Sequence, residues 1–211
     1  MEKPENRPDI KSEVMRIILN ISKSLAKENQ GALFVIADKD KIEGNYRLHY
    51  PQLQFTGNLL SKGMDTVVEK LATLDGAMIF TPEGELIAYG SRILKTDTLI
   101  GFGTRHSAAR GITLYDDSFT AVLVSEESGW IKVFQKGEIV LETDSVDIEP
   151  STLDKVSRFL MNRDMALLAG AGITVAAGIV SAPAVLIVGG AYMMVKTAGS
   201  VISSALKKEK R

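Results

Sequence analysis

Asp75-Gly-Ala-Met-Ile-Phe-Thr-Pro-Glu-Gly-Glu-Leu-Ile-Ala-Tyr-Gly90 is the stretch on which the fold turns. Ala77 to Phe80 is a short, continuous apolar run. Thr81-Pro-Glu-Gly84 has the chemistry of a tight turn, and Leu86 to Tyr89 is apolar again. Two short apolar runs joined by a Pro/Gly turn predict a β-hairpin over 76–90. A hairpin at this place excludes a strict β-α-β alternation.

Upstream, Leu60, Met64, Val67, Val68 and Leu71 make a helical stripe. A polar, poorly periodic stretch to Thr56 precedes it. Ala32-Leu-Phe-Val-Ile-Ala37 ends at Asp38-Lys-Asp40, which suits a buried strand. Val14, Ile17, Ile18, Ile21 and Leu25 keep helical spacing and predict an amphipathic helix over 12–28. Downstream, Gly101-Phe-Gly-Thr104 is a small-residue loop leading into a helix over 105–113. Phe119 to Val124 and Ile131 to Phe134 read as strands around the turn Ser125-Glu-Glu-Ser-Gly129. Gly137 then turns the chain into Ile139-Val-Leu141. Pro150-Ser151 opens a last short helix, with Ser151 and Asp154 spaced as a capping box. The fold class is therefore α/β: a mixed central sheet flanked by helices, followed by an apolar C-terminal helical segment.

The 211 residues hold 25 Lys+Arg and 26 Asp+Glu, with no cysteine. A net charge of −1 gives no global basic field, so nucleic acid is not an expected partner. Lack of cysteine rules out disulfides and thiolate metal sites. The near-zero charge is a cancellation. Residues 1–164 carry 20 basic and 25 acidic side chains (−5), and residues 165–211 carry 5 and 1 (+4). From Met165 to Val195 no side chain is charged.

Three loops concentrate the residues capable of chemistry. They are Asp75-Gly76-Ala77, Gly103-Thr104-Arg105-His106-Ser107 and Ser125-Glu126-Glu127. A Gly/Thr loop leading into a helix offers backbone N–H groups and a hydroxyl to an anion. Arg105 and His106 add charge or donors beside it. Asp75 and Glu127 are hard oxygen ligands suited to Mg²⁺ or Mn²⁺, and Asp75 is also placed to accept a proton. His49 has no neighbouring ligand pattern and reads as structural. There is no Walker A motif, and Gly101-Phe-Gly103 is too short for a dinucleotide fingerprint.

Taken in order, the DGA run at 75–77, Gly103-Thr-Arg-His-Ser-Ala-Ala-Arg-Gly-Ile112, Asp117-Ser118 and Val124-Ser-Glu-Glu-Ser-Gly129 resemble the catalytic domain of diadenylate cyclases over roughly 25–140. These enzymes make cyclic di-AMP from two ATP. The resemblance implies a face-to-face homodimer in which each ATP 3′-hydroxyl attacks the other's α-phosphate. It implies that Asp75 sits by the attacking hydroxyl and the metal. Gly76 and Ala77 would let the backbone approach the nucleotide. Thr104, Arg105 and His106 would hold the triphosphate, Ser125 would touch a phosphate, and Glu127 would help bind the metal. One departure stands out: the family's Arg-His-Arg is here Arg105-His106-Ser107. Arg110, nearly one helical turn on, is a candidate to supply the missing charge. Full activity with a rebuilt phosphate site, slow or altered activity, and binding without turnover all remain open.

The expected organisation is an N-terminal helix (1–28), a catalytic domain (29–150), a linker helix (151–163), an apolar Gly/Ala-rich segment (164–206) and a basic end (207–211). Residues 165–195 are long enough for one tilted span of a bilayer or, with Pro183 near the middle, a helical hairpin. A hairpin keeps Arg158, Arg163 and the basic end on one side, in line with the positive-inside tendency. The expectation is a cytoplasmic domain held at a membrane through residues 165–206, although the family's own membrane segments usually precede the catalytic domain.

Overall fold

The structure is a computed structural model. It describes residues 9–53, 57–98, 101, 103–143, 150–162, 174–176, 184–188 and 191–195. The elements in order are α1 (Ile10–Lys27), β1 (Ala32–Ile36), α2 (Lys39–Ile42), β2 (Tyr46–Leu48), α3 (Met64–Leu71), β3 (Ala77–Phe80), β4 (Leu86–Ile93), α4 (Thr104–Tyr115), β5 (Thr120–Val124), β6 (Ile131–Gln135), β7 (Glu138–Thr143), α5 (Pro150–Asn162), β8 (Thr174–Ala176), β9 (Ala184–Val188) and β10 (Ala191–Val195).

Seven strands form the body of a mixed sheet in the order β2-β4-β3-β1-β5-β6-β7. β1 lies at its centre. It runs parallel to β3, with Leu33 opposite Ala77, and antiparallel to β5, with Ala32 opposite Val124. All five residues of β1 are buried because both faces of the sheet are covered. Alternate residues serve different cores. Ala32, Phe34 and Ile36 join Val122, Val124, Ile131 and Val133 beneath α1. Leu33 and Val35 join Leu123, Phe134 and the buried side of α4, including Ala108, Ala109 and Ile112. A one-residue slip of β1 would exchange these two sets, so the register is strongly specified.

α1 buries Val14, Ile18, Ile21 and Leu25 of the expected stripe together with Met15 and Leu19, while Ile17 is only partly buried. α5 is part of the same core: Leu153, Val156 and Leu160 are buried there, and Gln135 Nε2 donates to the carbonyl of Leu160 at 2.9 Å. The helix expected as a linker thus packs on the domain. The Ser151 side of the proposed capping box lies outside the described side chains.

Two features depart from the sequence reading. The polar stretch before Thr56 holds α2 and the edge strand β2, which pairs with β4 through Tyr46–Ile93, Arg47–Arg92 and Leu48–Ser91. The apolar C-terminal segment was expected to be helical. Where it is described it is extended: β8, β9 and β10 continue the sheet beyond β7, with Met194 opposite Glu142. Continuous apolar runs of about five residues do not distinguish helix from strand by periodicity. Here β-branched Thr174, Val175, Val185, Ile187, Val188 and Val195 favour the strand. Gly189-Gly190, between paired Val188 and Ala191, is also the dipeptide that two-residue hairpins prefer. The rest of the segment, with Pro183 and the basic end, lies outside the described residues. Among the described residues no helix is long and apolar enough to cross a membrane.

Candidate nucleotide site at the sheet end

The topology brings all three chemistry-bearing loops to one end of the sheet. β3 starts there, preceded by Asp75-Gly76. β1 starts there after Gly31. β5 runs the other way, so it ends there and delivers Ser125. Strands are spaced by about 4.8 Å, so the Asp75 and Ser125 loops flank β1 with about 10 Å of sheet between them.

The Asp75 loop is fixed by its backbone. Gly76 has φ +110°, and a Cβ there would lie 2.6 Å from the Ser91 nitrogen and 2.7 Å from the Gly90 carbonyl carbon. No other residue fits. The Asp75 side chain is 78% exposed, and its carboxylate accepts no hydrogen bond among the described residues. Among the described residues its near neighbour is the His49 ring, whose Nδ1 lies 4.0 Å from Asp75 Oδ2. Sequence reasoning set His49 aside. The signal was in the register: the His49 N–H donates to Gly90 O at 3.1 Å, extending the β2–β4 pairing until His49 reaches the Asp75 loop. Ala77 is buried and pairs with both Leu33 and Ser91.

α4 begins at the same end. Gly103 is extended, Thr104 is exposed, and the helix N-terminus carries no side-chain cap. Its first-turn N–H groups therefore remain available to an anion, with the helix dipole favouring negative charge. Arg105 leans across Gly31 toward the Ser125 turn and pairs with Glu126, Nη1 to Oε2 at 3.3 Å. His106 turns toward the sheet and meets Phe134 edge-on, with ring centroids 6.3 Å apart. Burial, and then the nearby Lys132 ammonium, push its pKa down to about 4, against a smaller opposing effect of Glu142. His106 is therefore neutral at physiological pH, a donor and not a cation. Ser107 turns back on its own helix, its Oγ 3.4 Å from Gly103 O. Arg110 lies at 3.1 Å from the Asp97 carboxylate, Nε to Oδ2, so its charge is already engaged.

The Ser125–Gly129 turn is closed by its own bonds. Ser125 N–H donates to Trp130 O and Gly129 N–H to Ser125 O, each at 2.9 Å, and Ser128 N–H approaches Ser125 Oγ at 3.4 Å. Glu127 is exposed. The structure thus gathers Asp75, Gly76, Gly103, Thr104, Arg105, Ser125 and Glu127 at one sheet end. His106 turns toward the sheet, and the Ser107 hydroxyl turns back on its own helix. Among the described residues no group of three or more His, Asp or Glu forms a ready-made metal cluster.

This assembly sets a glycine-fixed acidic loop across a central strand from an open helix N-terminus. Residues 21–139 match the model of the family described as DisA bacterial checkpoint controller nucleotide-binding, and the chain belongs to that family. Among curated proteins, it is 29% identical over 138 residues to the diadenylate cyclase of Methanocaldococcus jannaschii, covering 63% of this chain and 44% of that protein. It is 28% identical over 146 residues to the diadenylate cyclase of Haloferax volcanii, covering 62% and 52%. The chain spans about half the length of these relatives. Two solved structures also align. A hypothetical membrane spanning protein from Bacillus cereus does so at 21% identity and TM-score 0.48, over 58% of this chain and 60% of that one. DacA from Staphylococcus aureus does so at 24% and 0.49, over 71% and 95%.

Proposed function

We propose that the protein is a diadenylate cyclase, joining two ATP into cyclic di-AMP and releasing two pyrophosphates. The observation that carries this reading is the sheet end itself: an exposed, unbonded Asp75 on a strained glycine loop, set across β1 from an uncapped helix N-terminus bearing Arg105. Family membership over 21–139 supports it.

In this reading the N–H groups of α4, Thr104 and Arg105 hold the triphosphate, and Gly76 and Ala77 let the nucleotide lie against bare backbone. Asp75 accepts the proton of the 3′-hydroxyl. That oxygen forms a bond to the α-phosphorus of the second nucleotide, and the bond from that phosphorus to the β-phosphate oxygen breaks, freeing pyrophosphate. The same exchange in the opposite sense closes the ring. The exposure of Asp75 in a single chain suits a face-to-face homodimer, in which a second copy delivers the nucleotide that is attacked.

Mg²⁺ or Mn²⁺ fits the donor set. An unbonded carboxylate plus substrate phosphates is the usual way such ions are held, without an all-protein cage. Asp75 would hold the ion, and Glu127 would contribute from across β1. When bound, the ion neutralises charge that builds on the phosphates.

A second reading is a nucleotide sensor that binds without turnover and acts on the apolar tail. Ser107 and Arg110 favour it, since neither offers a spare cation to the phosphates. The deciding experiment is incubation of the purified protein with ATP and Mn²⁺ or Mg²⁺. Cyclic di-AMP with pyrophosphate supports the cyclase. Saturable ATP binding without product supports the sensor, and neither result removes both. We further propose that the domain is cytoplasmic, where ATP is supplied.

A further inference from the structure

Beneath the first turn of α4 lies an ion pair that none of the roles above uses. Lys132 on β6 and Glu142 on β7 are directly opposite in register, and Lys132 Nζ lies 2.8 Å from Glu142 Oε1. The two side chains are only 11% and 17% exposed. Lys132 shares a face of β6 with Phe134, the face covered by α4, and Phe134 is the ring that His106 contacts. β1 and β5, the other strands under α4, carry no titratable side chain. On α4 itself, Arg105 and Arg110 are paired with Glu126 and Asp97. Among the described residues, the sheet charges that act on His106 are those of Lys132 and Glu142.

We propose that Lys132, held in place by Glu142, positions the phosphate-binding turn of α4 through the His106 ring seated on Phe134. Two charges were buried at this point where an apolar pair would have served packing as well or better. Their effect on the imidazole explains the choice. With Lys132 present, a proton on His106 is repelled, so the ring stays against Phe134 and the turn above it stays in place. With Lys132 removed, Glu142 attracts that proton, and the ring gains a charge and a new partner on the sheet. Lys132 and Glu142 act here through His106 and need not touch a nucleotide. The functional half of this inference rests on the nucleotide reading given above.

The test uses the full chain and follows the His106 ring by NMR across pH, with ATP affinity measured over the same range. The expected order of His106 midpoints is Glu142→Gln at or below wild type, then the apolar double variant Lys132→Met/Glu142→Leu, then Lys132→Met highest. The rise for Lys132→Met should be about one unit or more. The double variant guards against unfolding by a lone buried charge, since it removes both charges together. Beyond the titration of ATP itself, ATP affinity should show no His106 step in wild type above about pH 5 and gain one at the raised His106 midpoint in Lys132→Met. An unchanged midpoint in Lys132→Met, or a shifted midpoint with flat ATP affinity, overturns the proposal. A wild type that binds no ATP at any pH removes the nucleotide reading, and with it the functional half of this inference; the order of midpoints still decides whether the pair governs the ring.

Discussion

The two loops that flank β1 are built on opposite plans. The Asp75 loop is rigid in its backbone and open in its side chain: Gly76 is locked against β4, while the carboxylate stands in solvent. The Ser125–Gly129 turn is satisfied internally, with backbone bonds closing it and Glu126 engaged by Arg105. One flank presents an unspent functional group on a fixed mount. The other is a brace, and what it braces is Arg105. Residues with similar motif status thus have different physical standing. Variants on the two flanks should separate chemistry from support.

The sharpest way to break the comparison is Asp75→Asn. Among the described residues the group has only the long 4.0 Å contact to His49, so melting temperature should stay within about two degrees. Turnover to cyclic di-AMP should fall by about 10²–10⁴-fold, the usual range for losing a general base. Retained turnover would make the open carboxylate a bystander. Gly76→Ala attacks the mount. A positive φ and a clash with the β4 backbone should cost about 2–4 kcal/mol, read by denaturant unfolding. A neutral result would mean the loop is softer than its geometry indicates.

Arg105→Ala tests the brace. Losing a charge-assisted contact to phosphate should weaken ATP binding by roughly 10–100-fold. The fold should lose less than about 1 kcal/mol, because the Arg105–Glu126 pair is partly exposed. If affinity is unchanged, the helix N-terminus binds the phosphates unaided.

Much of this comparison was legible in the sequence. The apolar runs of β1, β3 and β5 and the stripe on α1 follow from periodicity, and the hairpin at 76–90 follows from its turn residues. The position of Asp75 and Ser125 on one sheet end was not, because it needs the parallel β1–β3 pairing across intervening helices. Nor was the place of His49. It depends on β2, a three-residue edge strand with two exposed side chains and no alternation to read. Lys132 and Glu142 look like ordinary solvent-facing positions of a hairpin. Only the bulge between Val133 and Phe134, and the covering by α4, make them a buried pair. The C-terminal strands escaped because uninterrupted apolar runs carry no phase.

His106 gives the brace side a pH signature. Its folded-state pKa of about 4 lies below the ordinary value of 6.5. Between these two values the unfolded chain binds more protons than the folded one. Stability from this group is therefore present above about pH 6.5 and lost as pH falls toward 4. Allowing for the ring's partial exposure, the loss is on the order of 1–2 kcal/mol. Denaturant midpoints for wild type and His106→Gln across that window should diverge. Parallel curves would show that the ring does not carry the protonation.

Ser125→Ala should have the smallest effect, which makes it the fairest test of the contrast between the flanks. Resemblance would have Ser125 touch a phosphate, whereas its hydroxyl lies 3.4 Å from the Ser128 N–H, at the long end of a hydrogen bond within its own turn. The backbone bonds of Ser125 to Trp130 and Gly129 do not involve the side chain and survive the substitution. If the turn is only a brace, stability should change by less than about 1 kcal/mol and ATP affinity by less than about threefold. A tenfold loss of affinity with an unchanged fold would mean that the hydroxyl leaves its turn to meet a phosphate. The Ser125 flank would then hold a functional group of its own, and the division of labour across β1 would have to be redrawn.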